Sequence, residues 1–261
     1  MKITLRIQRY NPDLDARPYD QDYEVEAEPT DRVLDALMWV KDKLDGTLAF
    51  RRSCAHGMCG SDAMLINGQE RLACKTLVRD VAEEDGATVT VKPLKHLPLL
   101  RDLMVGQDEF FARWRSVKPF LIPDRRIGDQ AIADQASADQ GIDAERVERK
   151  ERLQSQGERA AFDDPTKCIL CAACYSACPI LEGENPRFLG PAALAQAARF
   201  LFDSRDRGLE ERLEVLDHPD GLWACNNHFQ CTRVCPRGIK ITRNINLTKR
   251  EIRQNTRPDT V

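Results

Sequence analysis

The stretch Cys168-Ile-Leu-Cys171-Ala-Ala-Cys174-Tyr-Ser-Ala-Cys178-Pro179 decides how the second half of this chain must fold. Its spacing is C-x2-C-x2-C-x3-C-P, by which a short segment wraps successive thiolates around one iron-sulfur cubane. In that arrangement the fourth cysteine points away and ligates a second cluster. Structural zinc fits poorly, because zinc sites typically use separated C-x2-C pairs. The run therefore predicts a 4Fe-4S site with a second cluster beside it.

A second run, Cys225-Asn-Asn-His228-Phe-Gln-Cys231-Thr-Arg-Val-Cys235-Pro236, has the same frame with histidine at the second ligand position. The fourth cysteine of each run ligates the cluster of the other run, which we call the crossing rule. This rule gives one complete 4Fe-4S cluster, held by Cys168, Cys171, Cys174 and Cys235. The other cluster has only three thiolates, which favours 3Fe-4S, and they come from Cys178, Cys225 and Cys231. Two alternatives stay open for His228. Its imidazole could ligate a fourth iron, or it could simply pack beside Phe229.

The N-terminal half carries a third pattern, Cys54-x4-Cys59-x2-Asp62-x11-Cys74. It follows the plant-type C-x4-C-x2-C spacing of 2Fe-2S proteins, except that Asp62 stands at the third cysteine. A carboxylate oxygen is able to serve as a ligand there, and three thiolates alone do not complete a 2Fe-2S site. We therefore predict a 2Fe-2S cluster held by Cys54, Cys59, Asp62 and Cys74. The alternative is a surface aspartate beside a partly liganded site.

Length, charge and composition narrow the class of protein. The chain has 261 residues, enough for two domains, and none of its ten cysteines lies between 75 and 167, which indicates two metal-bearing parts. A formal net charge of -3 lacks the basic excess of nonspecific nucleic-acid binding, so no nucleic-acid partner is expected. The apolar runs fall short of the roughly 20 residues of a membrane-spanning helix, and the N-terminus has no signal-peptide pattern. Cysteines in a chain without an export signal favour metal ligation over disulfides.

The hydrophobic periodicity predicts an α+β fold. Residues 2–9 and 22–27 alternate with period two, and shorter strands are expected near 63–66 and 88–93. Thr30 is expected to cap a helix whose apolar stripe runs from Val33 to Leu44. These elements predict a β-grasp domain of the plant-type ferredoxin kind over residues 1–104. Residues 105–261 are predicted to form an all-α domain of the bacterial dicluster ferredoxin kind, with an exposed or mobile connection at 125–156.

Several stretches around the cysteines carry a resemblance to one family. They are Arg52-Ser-Cys54, Cys59-Gly-Ser-Asp62, Leu99-Leu-Arg-Asp-Leu103, Asn185-Pro-Arg-Phe-Leu-Gly-Pro191 and Asp203-Ser-Arg-Asp206, together with the two Cys-Pro pairs. With them the chain resembles, over nearly its whole length, the iron-sulfur subunits of succinate dehydrogenase and fumarate reductase. Aspartate is a 2Fe-2S ligand in some members, so Asp62 stays within the family pattern.

The resemblance implies the electron-transfer subunit of a membrane-bound succinate:quinone oxidoreductase, with no dicarboxylate site on this chain. Electrons would pass from the FAD of a flavoprotein subunit through 2Fe-2S, 4Fe-4S and 3Fe-4S clusters to a membrane quinone. One or two membrane anchor subunits, which can hold haem b, and a position on the cytoplasmic face of a bacterial membrane are implied as well. Two alternatives remain: the same subunit of a fumarate reductase, and a soluble multi-cluster ferredoxin or Fe-S sensor.

The resemblance also implies a quinone end near the second cysteine run. The expected quinone-proximal residues are Pro179, His228 and Lys249, the last because it aligns with a lysine near that end in relatives. Ubiquinone-linked relatives tend to carry a tryptophan pair after the first Cys-Pro pair, whereas this chain reads Ile180-Leu-Glu-Gly-Glu184 with one residue inserted. Fumarate reductases also lack the aromatic wall, so menaquinone is the expected quinone.

Overall fold

The computed structural model describes residues 1–123 and 153–256, without the side chains of 255 and 256. These residues form an α+β fold, with a mixed sheet in the N-terminal half and helices in the C-terminal half, as the sequence predicts. Most of the predicted connection at 125–156 lies outside the described residues. Among the helices of the described ranges, none is both long and apolar enough to cross a membrane.

The N-terminal half is built on a five-stranded sheet of order β2-β1-β5-β3-β4. Its strands are β1 (Lys2–Arg9), β2 (Tyr19–Glu26), β3 (Ala63–Ile66), β4 (Gln69–Leu72) and β5 (Thr88–Lys92). Strand β1 pairs antiparallel with β2 and parallel with β5. Because side chains alternate along a strand, Ile3, Leu5 and Ile7 all point into the core, where they are buried. A short 3-10 turn at Val78–Asp80 precedes β5.

Helix α1 (Val33–Trp39) covers this core with the buried side chains of Val33, Leu34 and Leu37. It begins after Arg32 and not after Thr30, because Asp35 turns back to accept the Arg32 N–H at 3.0 Å. The chain then widens into a π-helical turn at Val40–Leu44. A wider turn shifts the side-chain periodicity, so Leu44 leaves the stripe and is 50 % exposed. The expected cap at Thr30 is therefore wrong, and so is the expectation that one regular helical stripe continues to Leu44.

A hairpin of β6 (Leu99–Arg101) and β7 (Met104–Val105) connects the halves and leads to α2 (Asp108–Ser116). Asp102 sits in its turn with φ +47° and is buried. Its carboxylate accepts the Arg9 Nε at 3.0 Å and the backbone N–H groups of Tyr10 and Ala49 at 2.9 and 2.8 Å. The hairpin therefore fixes the chain just before the first cysteine loop.

The C-terminal half packs around helix α5 (Pro191–Leu201), which is buried on nearly all sides. The others are α3 (Gln156–Thr166), α4 (Ala173–Ser176), α6 (Leu209–Leu216), α7 (Gln230–Arg233) and α8 (Ile241–Thr256). A π-helical turn lies at Ile180–Glu184 and a 3-10 turn at Leu222–Ala224. Helix α5 begins with Pro191, a position where the missing N–H costs no hydrogen bond. Its alanines leave room for the cysteine runs to pack close to it.

Arg212 of α6 ties the segment after α2 to the helical half. Its side chain is fully buried, pairs with Asp206 at 2.7 Å and donates to the carbonyls of Lys118 and Phe120 at 3.0 and 2.8 Å. Asp206 in turn accepts the N–H of Ile122 at 2.9 Å. In a buried ion pair whose remaining donors and acceptors are also satisfied, these interactions offset the desolvation penalty. Asp206, in one of the stretches that carry the family resemblance, thus has a structural role.

Candidate iron-sulfur centres

The loop between α1 and β3 turns its backbone N–H groups toward one sulfur. Cys54 Sγ accepts from the N–H of His56 at 3.5 Å and from those of Met58 and Cys59, each at 3.3 Å. Left-handed backbone at Ala55 and Gly57 makes this curl possible. The three donors, led by that of His56, lower the pKa of Cys54 to about 6. The loop therefore stabilises a thiolate, the form that binds iron.

Asp62 is 2 % exposed, so it is not a surface residue of the loop. Its Oδ2 accepts the N–H of Cys74 at 2.6 Å, whereas Oδ1 has no hydrogen-bond partner in the described part of the chain. A buried carboxylate oxygen without a donor is costly, and a metal ion is one group that would satisfy it. Burial, and then Asp62, raise the pKa of Cys74 to about 12. The four side chains fit the ligand set of a 2Fe-2S cluster.

A first cavity in the helical half collects the cysteines that the crossing rule groups together. It is lined by Cys168, Cys171, Cys174 and Cys235, with Ala192 and Ala195 of α5 as part of its apolar wall. Burial raises the pKa of Cys171 to about 12 and that of Cys174 well above its ordinary value. Thiolates in so apolar a wall need a compensating positive charge, which iron would supply.

A second cavity contains the remaining cysteines, Cys178, Cys225 and Cys231. Pro179 and His228 line it too. The Sγ of Cys231 lies 3.5 Å from Thr242 Oγ1, and burial raises the pKa of Cys178 to about 11. The structure therefore separates the seven C-terminal cysteines into four and three, with Cys178 and Cys235 exchanged between the runs.

The two cysteine runs have the same backbone path. Leu170 and Ala172 are left-handed with φ of 52° and 62°, and helix α4 follows. Asn227 and Phe229, in the equivalent places of the second run, have φ of 60° and 62°, and helix α7 follows. His228 thus occupies the backbone position that Cys171 has in the first run.

Comparisons with known proteins match both halves. A family model described as 2Fe-2S iron-sulfur cluster binding domain matches residues 4–112, and one described as 4Fe-4S dicluster domain matches residues 164–239. The fumarate reductase iron-sulfur subunit of Mycobacterium tuberculosis is 40 % identical over 91 % of this chain and 87 % of its own. The succinate dehydrogenase iron-sulfur subunit of Coxiella burnetii is 36 % identical over 97 % of this chain and 98 % of its own. The chain belongs to the family of succinate dehydrogenase and fumarate reductase iron-sulfur subunits.

A solved structure extends the match to three dimensions. A chain of the Mycobacterium smegmatis Sdh1 complex in the apo form superposes with a TM-score of 0.81 at 27 % identity, covering 100 % of this chain and 99 % of that one. The family resemblance predicted from the cysteine runs and the stretches between them is confirmed.

The predicted quinone-proximal residues of this succinate dehydrogenase family member lie in different surroundings. Pro179 and His228 both line the three-cysteine cavity. Lys249 lies on α8, where its Nζ donates to the carbonyl of Cys225 at 2.8 Å and lies 5.9 Å from the centre of the Trp223 ring. Lys249 therefore holds the backbone of the second run and does not line that cavity.

Glu184 is a site residue that the sequence reasoning missed. Its Oε1 lies 3.2 Å from His228 Nε2, and its Oε2 accepts from the Asn226 side chain at 2.7 Å. Glu184 ends the π-helical turn that follows Cys178-Pro179, in the segment where the chain departs from ubiquinone-linked relatives. The difference of this segment from ubiquinone-linked relatives is the only feature of the sequence that points to Glu184. Neither spacing nor periodicity links position 184 to the second cysteine run.

Proposed function

We propose that this subunit carries electrons one at a time between a flavoprotein and a membrane quinone. The proposed ligands are Cys54, Cys59, Asp62 and Cys74 for 2Fe-2S, Cys168, Cys171, Cys174 and Cys235 for 4Fe-4S, and Cys178, Cys225 and Cys231 for 3Fe-4S. Each cluster, when bound, would accept one electron and pass it on. The observation that carries the proposal is the separation of the C-terminal cysteines into cavities of four and three, with one cysteine exchanged in each direction.

Backbone and side-chain groups of this chain would set how easily each site is reduced. The N–H groups aimed at Cys54 favour added negative charge there, whereas the apolar wall of Ala192 and Ala195 disfavours it at the four-cysteine site. Hydrogen bonding and burial are among the factors that set iron-sulfur potentials, and they differ between the sites. Succinate oxidation itself would take place at the FAD of the partner flavoprotein, not on this chain.

The finer architecture is part of the proposal. The mixed sheet with α1 across it is consistent with a β-grasp ferredoxin domain over residues 1–104, followed by a helical dicluster domain over 105–261. The division separates cluster-binding segments rather than cores, because Leu94 and Leu97 pack with the helical core and Cys171 packs with the N-terminal core.

The quinone end would lie at the three-cysteine cavity. Pro179 and His228 line it, and Lys249 supports it through the Cys225 carbonyl. Where ubiquinone-linked relatives tend to carry tryptophans, this chain has the segment ending in Glu184, whose carboxylate meets His228. The absence of an aromatic wall here, which fumarate reductases share, supports menaquinone as the partner quinone.

The proposed assembly comprises this subunit, a flavoprotein with FAD, and one or two membrane anchors that can hold haem b. This subunit would lie peripherally on the cytoplasmic face of a bacterial membrane. Relatives named for either direction of the reaction match at similar identity, 40 % for a fumarate reductase subunit and 36 % for a succinate dehydrogenase subunit. We propose succinate oxidation as the working direction, with fumarate reduction as the second candidate.

Purification from native membranes in mild detergent tests the function. We expect a flavin-containing subunit and membrane subunits to co-purify, with an oxidised-state 3Fe-4S EPR signal and reduced-state 2Fe-2S and 4Fe-4S signals. Extraction of the bound quinone identifies it, and the ratio of succinate oxidation to fumarate reduction gives the preferred direction. A chain that runs alone in the soluble fraction would support the ferredoxin or sensor alternative instead.

A further inference from the structure

The loop that carries the first cluster ligands touches the first C-terminal run at a glycine. Gly60 lies between Cys59 and Asp62 and has φ +69°. A Cβ added there would stand 2.6 Å from the Cβ of Cys171, 3.0 Å from its Cα and 3.2 Å from the carbonyl oxygen of Ile169. No side chain fits this gap, because Cβ atoms essentially never approach closer than 3.0 Å.

The Cys171 side of this contact cannot yield easily. Two of the three neighbouring atoms belong to the backbone, and Cys171 stands between the left-handed residues Leu170 and Ala172. Cys171 is also buried and, although it belongs to the first C-terminal run, packs with the core of the N-terminal half. Close-packed backbone transmits a displacement rather than absorbing it.

A second interaction holds the halves together near the contact. Ser176, which is buried in α4, donates to Glu70 of β4 at 2.9 Å and accepts the N–H of Lys95 at 2.9 Å. One hydroxyl therefore joins the N-terminal sheet, the connection at residue 95 and helix α4, which contains Cys174. The first C-terminal run, which contains Cys171, is therefore held against the N-terminal half independently of the contact at Gly60.

We infer that the contact between Gly60 and Cys171 is where the electron crosses from the 2Fe-2S site to the 4Fe-4S site, and that Gly60 is a positioning residue for this step. The inference rests on the proposed ligand sets, in which Cys59 and Asp62 on either side of Gly60 bind 2Fe-2S and Cys171 binds 4Fe-4S. One electron leaves the first site and enters the second, while no bond changes and no proton moves. Because tunnelling weakens steeply with separation, the absent side chain at Gly60 keeps this transfer fast.

The test is Gly60→Ala in the intact membrane complex. The added methyl must push the loops apart by about 0.8 Å to bring the 2.6 Å contact to the 3.4 Å of ordinary van der Waals contact. In the fully reduced complex, the neighbouring paramagnetic 4Fe-4S cluster should speed the spin relaxation of the 2Fe-2S signal. Since dipolar coupling falls with the cube of distance, we expect this enhancement to shrink in Gly60→Ala, together with slower electron transfer between the two clusters.

Gly68→Ala is the matched control. Gly68 has φ +74°, so alanine suffers the same backbone strain there, but no atom lies within 4 Å of the added Cβ. It should leave the relaxation enhancement at the wild-type value. A Gly60→Ala complex with both clusters bound and an unchanged enhancement would overturn the inference.

The wild-type complex gives a measurement that does not depend on the variant folding. Stepwise reduction should produce the 2Fe-2S signal first, and its relaxation should accelerate once the 4Fe-4S cluster is reduced. No acceleration would overturn the inference. Absence of the cluster signals altogether would instead refute the proposed ligand sets, so failures of the inference and of the proposed function are distinguishable.

Discussion

The two carboxylate oxygens of Asp62 have different surroundings, and this difference makes its role testable. Oδ2 is occupied by the Cys74 N–H, and Oδ1 is buried without a donor in the described residues. A purely structural aspartate would need only Oδ2, which accepts the Cys74 N–H, whereas an iron ligand would also use Oδ1. Removing the side chain and replacing it by an amide therefore have different consequences.

We predict that Asp62→Ala loses the reduced-state 2Fe-2S EPR signal and lowers the stability of the N-terminal half. The Cys74 N–H would lose its buried acceptor, at a cost of about 1–3 kcal/mol. Asp62→Cys should keep the cluster, because a thiolate restores the commoner ligand. Asp62→Asn is the matched control, since its amide oxygen still accepts from Cys74. Full EPR intensity and an unchanged denaturation midpoint in Asp62→Ala would contradict ligation.

His228 stands at the backbone position that Cys171 has in the first run, so its replacement by cysteine supplies the missing fourth thiolate. We predict that His228→Cys exchanges the oxidised-state 3Fe-4S EPR signal for a reduced-state 4Fe-4S signal and lowers the reduction potential. His228→Ala is the control, because it removes the contact with Glu184 without adding a ligand and should keep 3Fe-4S. A wild-type protein with no oxidised 3Fe-4S signal would refute the cluster assignment here.

The sequence predicts single residues well where spacing carries the chemistry. The frame of the cysteine runs is enough to group Cys235 with the first run and Cys178 with the second. Glu184 and Gly60 could not be predicted, because their partners His228 and Cys171 are remote in sequence. Contacts of this kind depend on how the halves pack, which no local spacing encodes.

At the scale of elements, strands β1 and β2 are joined at one end by a buried polar network. Arg9 donates to Asp45 and Tyr23, and the Tyr23 hydroxyl donates to Asp45 at 2.7 Å. Burial, followed by the hydrogen bond to Asp45, raises the pKa of Tyr23 well above its ordinary value. Although burial opposes it, hydrogen bonds from Thr47 and Arg9 hold the pKa of Asp45 well below the usual range.

The raised pKa of Tyr23 predicts how the free energy of unfolding changes at alkaline pH. Because the folded-state pKa of Tyr23 is raised, its contribution is fully present below the unfolded-state pKa of about 10 and is lost as the pH rises above that value. The unfolding free energy of the wild type should therefore fall more steeply above about pH 10 than that of Tyr23→Phe. Tyr19→Phe on the same strand is the control, because Tyr19 is 48 % exposed. Equal slopes in wild type and Tyr23→Phe would refute the prediction.

Element boundaries were harder to predict than element types. The alternation of polar and apolar residues with period two predicts strand β1 and the burial of Ile3, Leu5 and Ile7 on one face of it. Helix α1 was predicted, but its passage into a π-helical turn was not, because a run of apolar residues does not reveal a change in helical period. The short helices α4 and α7 were missed for another reason. At four residues each they are too short to be stable alone, and the cysteine runs around them fix their place.

At the scale of the whole molecule, the two halves differ in what their cores are made of. The N-terminal core is mainly a sheet packed on α1, with side chains such as Leu5, Leu37 and Val89. The C-terminal core includes Cys174, Cys178 and Cys231 among its buried members, and its cavities lie beside them. Removing iron should therefore affect the halves unequally.

We predict that reduction followed by iron chelation unfolds the C-terminal half cooperatively while the N-terminal sheet persists. Metal-binding free energy becomes folding free energy when ligands come from distant segments, here 168–178 and 225–235. Far-ultraviolet circular dichroism should lose most of its helical signal. Hydrogen exchange should become fast in α5 and α8 yet stay slow in β1, which serves as the internal reference. Slow exchange throughout α5 and α8, together with a sharp thermal transition of the iron-free protein, would show that the helical half folds without its clusters.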